Sequence, residues 1–295
     1  MSSLVLYCKS YSTDLRRVAR LMDSIERFNH TNIPVYLSVP EAELELFRNE
    51  LNKPFIRLLT DESILSASPG IDINMVRYLN GAMSQQIVKS EFWRLGLADA
   101  YVCLDSDAVF IRQFSAADFL APDGYPYTLI DEAQSLLEDA IRQGRDRIFK
   151  DFLREAASIQ ECFGRNGKRY SFGPFPLVWH RKVWESLETH YLRPRNITFA
   201  DAIALIPIES RWYGEALLAY QAIPLRPTQA LFKVYHYAWQ FDKDQSDGIT
   251  SDKLRSLYTG VIYQSAWERD MDWPAEGGSW LSKIGRRIRR KLGKI

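Results

Sequence analysis

Two carboxylates at the end of an apolar run are the residues of this chain best suited to chemistry. The segment Tyr101-Val-Cys-Leu-Asp105-Ser-Asp107-Ala-Val-Phe-Ile111 closes one hydrophobic stretch with Asp-Ser-Asp and opens another at once. In extended backbone, residues i and i+2 point to the same side. Asp105 and Asp107 are therefore expected to converge on one hard cation, directly or through water. Oxygen ligands select Mg²⁺ or Mn²⁺ over Zn²⁺. Such a cation can clamp a diphosphate and offset the charge of a departing nucleotide. Spacing alone fits a solvated turn between strands equally well. Position gives the pair its weight, because the carboxyl end of a central strand is where α/β sheets bind ligands.

The elements around the pair follow from the pattern of apolar residues. Leu4 to Tyr7, Pro34 to Val39, Phe55 to Leu59 and Tyr101 to Leu104 read as four strands. Between them lie three predicted helices. The first, capped by Thr13, carries Val18, Leu21, Met22, Ile25 and Phe28 at helical spacing. The second follows Pro40, and the third spans Gly81 to Leu97. This alternation predicts an α/β fold with a mostly parallel sheet flanked by helices. The second half is less regular. It offers a strand within Tyr125 to Ile130 and helix over Glu132 to Cys162 with Gly144 inside it. A Gly-, Pro- and aromatic-rich loop over Gly167 to Trp179 follows, then a helix over Ile208 to Ala222 and a late strand over Phe232 to Tyr237.

The strand, its Asp-x-Asp and the following Val-Phe-Ile-Arg resemble the GT-A fold of nucleotide-sugar glycosyltransferases. More narrowly, Asn80-Gly81-Ala-Met-Ser-Gln85-Gln86-Ile87-Val88-Lys89 resembles a bacterial glycosyltransferase-like family. That family's pattern is a Gly, a Gln-Gln pair, an apolar pair and Lys, ahead of the Asp-x-Asp. Ile208-Glu209-Ser-Arg-Trp-Tyr213-Gly214 resembles its later segment, with Ser and Ile replacing a Tyr and a Ser. The resemblance covers roughly residues 3–240.

The resemblance implies a metal-dependent transferase, using Mn²⁺ or Mg²⁺. It would move a sugar from a nucleoside diphosphate sugar, UDP-sugars foremost, to a hydroxyl of a glycan or lipid-linked glycan. Asp105 and Asp107 would hold the metal, joined by His236, since a neutral imidazole can complete such a site. Packing between Tyr235 and Tyr237 is the other account of His236. Gln85 and Lys89 lie four apart on one helix face, Lys89 toward a phosphate and Gln85 toward a base or sugar hydroxyl. Tyr7, Lys9 and Ser10 end the first strand, where the base or ribose would sit; core packing is the alternative for Tyr7. Ser38 ends the second strand. Glu209 is the candidate acceptor-side carboxylate. Glu215, six residues on, is about 240° away round a helix, so the two do not readily share a site. Residues 1–110 would form the nucleotide-sugar-binding half and 111–245 the acceptor half.

Composition sets the outer bounds. A 295-residue chain that is 46% hydrophobic and 13% aromatic can bury a sizeable core, which excludes global disorder. No stretch approaches the ~18 apolar residues of a transmembrane helix, and no basic region precedes the short apolar run at the start. Cys8, Cys103 and Cys162 are too few and too scattered for a disulfide framework or zinc site. A cytoplasmic protein is expected. Residues 280–295 hold Lys283, Arg286, Arg287, Arg289, Arg290, Lys291 and Lys294 and no acid; these are 7 of 38 basic residues, which leaves 31 against 37 acidic ones, or −6, elsewhere. That remainder argues against nucleic-acid binding. Between the cations, Trp280, Leu281, Ile284, Ile288, Leu292 and Ile295 recur at helical spacing. A C-terminal amphipathic basic helix lying on the inner face of an anionic membrane is expected, in a fold extension over 246–295. Two rival functions bracket the transferase. A nucleotidyltransferase would show a basic Gly-rich loop after the first strand, and Cys8-Lys9-Ser10-Tyr11 has no glycine. A non-catalytic membrane scaffold would bind nucleotide, if at all, without metal.

Overall fold

The computed structural model describes residues 2–265. The basic tail expected over 280–295 lies outside them. The first half is strand and helix in alternation. It runs β1 (Ser2–Lys9), α1 (Leu15–Phe28), β2 (Val35–Val39), α2 (Leu44–Leu51), β3 (Ile56–Thr60), α3 (Asp61–Ser66), α4 (Ile73–Tyr78), α5 (Gly81–Glu91) and β4 (Ala98–Leu104). The second half adds β5 (Ala108–Phe110), β6 (Thr128–Leu129), α6 (Gln134–Arg142), α7 (Asp146–Cys162), β7 (Leu177–His180), α8 (Arg181–Leu187), α9 (Phe199–Leu205) and α10 (Glu209–Tyr220). It closes with β8 (Pro227–Thr228), β9 (Phe232–Tyr235), α11 (Ala238–Ser246) and β10 (Gly260–Tyr263), with a short helical turn at Ser251–Leu254 between the last two.

The main sheet has the order β3-β2-β1-β4-β7. The first four strands are parallel, and β7 closes the edge antiparallel to β4 with Trp179 opposite Tyr101. Alternation along the strands gives the sheet two apolar faces. In β1, Val5 and Tyr7 belong to one core, and Leu4, Leu6 and Cys8 to the other. In β4, Tyr101 and Cys103 join the first core, and Ala100, Val102 and Leu104 the second. Strands buried on both faces need helices on both faces. Residues of α5, α8 and α10 cover the first, and residues of α1 and α2 cover the second. The fold is thus mixed α/β with a mostly parallel sheet flanked by helices. Because β1 to β4 are parallel, Lys9, Thr60 and Leu104 all end at one rim.

A smaller sheet, β5-β10-β9, lies beyond that rim. There β5 is antiparallel and β9 parallel to β10. Gly260 in β10 carries no side chain because a Cβ there would stand 2.1 Å from the Phe232 ring of β9.

Several elements are shorter than the sequence suggests. A 3₁₀ turn over Ser12–Asp14 precedes α1, so Thr13 is not its cap. The helix from Gly81 stops at Glu91 and runs out through a 3₁₀ turn to Gly96 at φ +63°. The expected strand in 125–130 shrinks to two residues. Gly144, at φ +63°, separates α6 from α7. Among the described residues no helix is long and apolar enough to cross a membrane.

Candidate active site

The Asp-Ser-Asp segment leaves β4 in a turn, with the Ala108 N–H donating to Asp105 O at 3.1 Å. This replaces the extended geometry expected for the pair. Both neighbouring elements fix the turn. Ser106 Oγ donates to Asp14 Oδ2 at 3.2 Å, tying it to the start of α1, where Asp14 also pairs with Arg17. On the other side, Tyr263 N donates to Asp107 O at 3.2 Å and Ser265 N to Asp107 Oδ2 at 2.8 Å. Asp107 is 3% exposed, and its Oδ1 is buried with no hydrogen-bond partner among the described residues. Burial, with Asp105 adding its charge, pushes the Asp107 carboxyl up to about 6, although Ser265 and Arg17 favour the charged form. A buried carboxylate oxygen without a donor, next to a second carboxylate, fits a hard cation.

The second half of the site comes from α5. Lys89 sits near its end, 2% exposed, and its ammonium pairs with Asp105 Oδ1. The Phe175 ring lies 4.7 Å from Lys89 Nζ, in cation–π range. Burial works against the charge of Lys89. The negative surroundings, Asp105 foremost and Glu209 among them, outweigh it and hold the ammonium well above the ordinary lysine range. Glu209 opens α10 and is itself buried. Burial pushes its carboxyl up to about 7, against the pull of Lys89. Its backbone N–H donates to Gln86 Oε1 at 3.2 Å. Asp107, Asp105 and Glu209 thus gather three carboxyls around the one Lys89 ammonium near the carboxyl end of β4.

The loop bearing Phe175 is seated by a close approach. Phe172, at φ +54°, lays its ring against Gly214 of α10, where a Cβ would meet ring carbons at 2.1 Å. Beside it the buried Tyr213 hydroxyl accepts the His180 N–H at 2.8 Å. The Tyr-Gly pair of the sequence motif therefore packs one element against two others.

The remaining candidates divide. Gln85 is half-buried on α5, and Gln86, which the sequence reading passed over, is the one that meets Glu209. Lys9 and Ser10 sit at the rim at the end of β1, with Lys9 Nζ 3.2 Å from Asp61 Oδ2. Tyr7 must be corrected. It is wholly buried, its ring stacks on Phe92 at 3.9 Å, and its hydroxyl is hydrogen-bonded with Ser38 Oγ at 2.9 Å. It packs the core and supports Ser38. His236 follows β9 directly. Among the described residues, no three His, Cys, Asp or Glu side chains are gathered to hold a metal ion. The His236 backbone N–H donates to Gln240 Oε1 at 2.8 Å, and burial pushes its imidazole down to about 4 against the charge of Asp139. Glu215 is engaged elsewhere, accepting from Arg165 Nε and Nη2 at 2.5 and 2.8 Å.

The pattern described as "Family of unknown function (DUF6492)" matches residues 3–239. No curated protein matches the sequence. Among solved structures, the chain is similar to the glycosyltransferase GlyE of Streptococcus pneumoniae TIGR4, at 14% identity and a TM-score of 0.47 over 96% of this chain and 59% of that one. It is also similar to mouse xyloside xylosyltransferase 1, at 10% identity and a TM-score of 0.49, covering 90% of this chain and 99% of that one. A third is the galactosyltransferase LgtC in complex with donor and acceptor sugar analogues, at 12% identity and a TM-score of 0.47, covering 90% of each chain. The chain spans 59% of the length of the pneumococcal protein.

Proposed function

The chain belongs to the family of unknown function DUF6492, and from its site we propose that it is a metal-assisted glycosyltransferase acting on a nucleoside diphosphate sugar. The observation that carries this reading is the group formed by buried Asp107, Lys89 and Glu209 with part-exposed Asp105 at the carboxyl rim of a parallel sheet. It combines a cation-binding carboxylate pair with a carboxyl that ionises near neutrality. Asp105 and Asp107 would hold a divalent cation, which would supply positive charge to the donor's diphosphate. Lys89 holds Asp105 in place, and Gln85, Lys9 and Ser10 line the donor side. Gln86 fixes the start of α10. Glu209 hydrogen-bonds the acceptor hydroxyl and, when ionised, takes its proton. The acceptor oxygen bonds to the anomeric carbon as the bond from that carbon to phosphate breaks. The nucleoside diphosphate leaves with the bonding pair.

The acceptor is a glycan or lipid-linked glycan of bacterial surface polysaccharide, reached from the cytoplasmic face of the membrane. Residues 1–110 serve the donor and 111–245 the acceptor. The basic charge of residues 280–295 supports membrane contact.

The test is donor hydrolysis and transfer across a panel of nucleotide sugars, with Mn²⁺, Mg²⁺ or chelator, for wild type, Asp107→Ala and Glu209→Gln. The expected result is release of one nucleoside diphosphate that needs metal and Asp107. Nucleotide binding that is indifferent to metal and to Asp107, with no turnover, would replace this reading with a non-catalytic scaffold.

A further inference from the structure

The three residues of the Asp-Ser-Asp turn are held by three different elements. Asp105 is paired with Lys89 of α5, and Asp107 accepts the Ser265 N–H that follows β10. Ser106 stands between them and has no part in the reaction described above. It is 9% exposed, and its hydroxyl donates to Asp14 Oδ2 at 3.2 Å. A hydroxyl donating to a carboxylate makes a charge-assisted hydrogen bond, stronger than one between neutral groups.

Asp14 can anchor the turn because it is itself fixed. Its backbone N–H donates to Tyr11 O at 2.9 Å, closing the 3₁₀ turn Ser12–Asp14. That turn is clamped from the start of α2, where the two carboxylate oxygens of Glu43 accept from Ser12 N at 2.7 Å and Ser12 Oγ at 2.6 Å. Asp14 Oδ1 pairs with Arg17, three residues on, which leaves Oδ2 for Ser106. A run of contacts thus crosses the rim from Glu43, after β2, through Ser12 and Asp14, after β1, to Ser106, after β4.

This support bears on the aim of the two aspartates. One oxygen of Asp107 is taken by Ser265, and the other, Oδ1, is buried with no hydrogen-bond partner among the described residues. A small divalent cation asks for near-ideal geometry from its oxygen ligands. Ligating carboxylates are ordinarily oriented by partners that do not touch the metal. Rotation of the peptide groups on either side of Ser106 would turn Asp105 and Asp107 away from a common point, and the bond to Asp14 opposes it.

We propose that Asp14 is a positioning residue for the cation: through Ser106 it holds the Asp-Ser-Asp turn in the arrangement that lets Asp105 and Asp107 share one ion. This rests on the metal reading above and adds to it a residue from the start of α1.

The test is Mn²⁺ binding to the 295-residue chain, read as free Mn²⁺ by electron paramagnetic resonance, with melting temperatures recorded alongside. The proteins are wild type, Asp107→Ala, Ser106→Ala, Ser106→Thr, Asp14→Ala, the double variant Asp14→Ala with Ser106→Ala, and Ser24→Ala. Ser24 supplies the control. It is buried in α1, and its Oγ accepts the Phe110 N–H at 3.1 Å, so it joins α1 to β5 without touching the turn. Ser106→Ala should weaken Mn²⁺ binding about tenfold, and Ser106→Thr, which keeps the hydroxyl, should restore most of it. Asp14→Ala should cost at least as much, and adding Ser106→Ala to it should change nothing further. Ser24→Ala should lower the melting temperature and leave Mn²⁺ affinity as in wild type. Wild-type affinity in Ser106→Ala or in Asp14→Ala would overturn the role of Asp14, and so would an equal loss in Ser24→Ala, which would make the effect one of docking α1. Either result leaves Asp107-dependent Mn²⁺ binding in place. Absence of any Mn²⁺ binding that depends on Asp107 would remove the metal reading, and this role with it.

Discussion

Glu209 holds its proton into the neutral range because it is buried, and this has consequences for stability as well as chemistry. Its carboxyl rises from an ordinary 4.5 to about 7 in the folded chain. Between these values the folded chain keeps a proton that the unfolded chain has lost. Stability from this group is therefore full below the unfolded value, falls as pH rises toward 7, and stays low above it. The loss amounts to about 3 kcal/mol. Denaturant melts between pH 4.5 and 8 should show the decline in wild type and a flatter profile in Glu209→Gln, with the variant the more stable at pH 8. Transfer should rise with pH through about 7 in wild type and drop about 10²–10⁴-fold in the variant. Lys89 makes the opposite case. Replacing it with Met leaves Asp105 and Asp107 facing each other without their cation, which should cost roughly 3 kcal/mol. A divalent cation restores that charge. Mn²⁺ should thus raise the melting temperature of Lys89→Met by more than it raises that of wild type. An equal shift in both would mean that the two aspartates do not hold the ion.

At the scale of elements, the site depends on how α10 and the 171–176 loop meet. Gly214 lets the Phe172 ring lie against the helix, and the same loop sets Phe175 over Lys89. Gly214→Ala needs the loop to move, at a cost of roughly 1–3 kcal/mol. It should weaken transfer while leaving Asp107-dependent nucleotide binding largely intact; activity and binding that both match wild type would show that the loop does not serve the acceptor. The same elements show what the sequence could reveal. Strands β1 to β4 were legible because buried parallel strands are short apolar runs, and the Asp-Ser-Asp position followed from them. The face of α5 was not. Adjacent residues on a helix differ by about 100°, so Gln85 and Gln86 point apart, and only the packing of α10 makes Gln86 the partner of Glu209. Tyr7 was ambiguous for a related reason, since a strand residue before the rim faces core or ligand according to what covers it, here Phe92. His236 follows β9 of the small sheet, whose strands β5 and β10 adjoin Asp107. The run Gly260-Val-Ile-Tyr263 was the available signal for β10, the strand that leads Ser265 to Asp107.

Charge is distributed across the whole chain in a way the site does not require. Seven cations and no acid fall within residues 280–295, while the other residues carry −6. A fold with net negative charge is repelled by an anionic bilayer, so any attraction must come from the terminal segment. At roughly 1 kcal/mol for each cation near such a surface, seven exceed what reversible attachment needs. Trp280 and Leu281 would add apolar contact at such an interface. The 295-residue chain should therefore co-sediment with vesicles containing phosphatidylglycerol and not with neutral ones. Binding should weaken steeply as salt rises, because screening shortens the reach of each charge. A chain ending at residue 279 should remain in the supernatant and still turn over a soluble acceptor, since Asp105, Asp107, Lys89 and Glu209 all precede the cut. Loss of transfer to a lipid-linked acceptor alone, with soluble transfer kept, is the outcome expected if the tail serves to bring the site to its substrate. Co-sedimentation unchanged by the truncation would assign the tail no part in membrane contact.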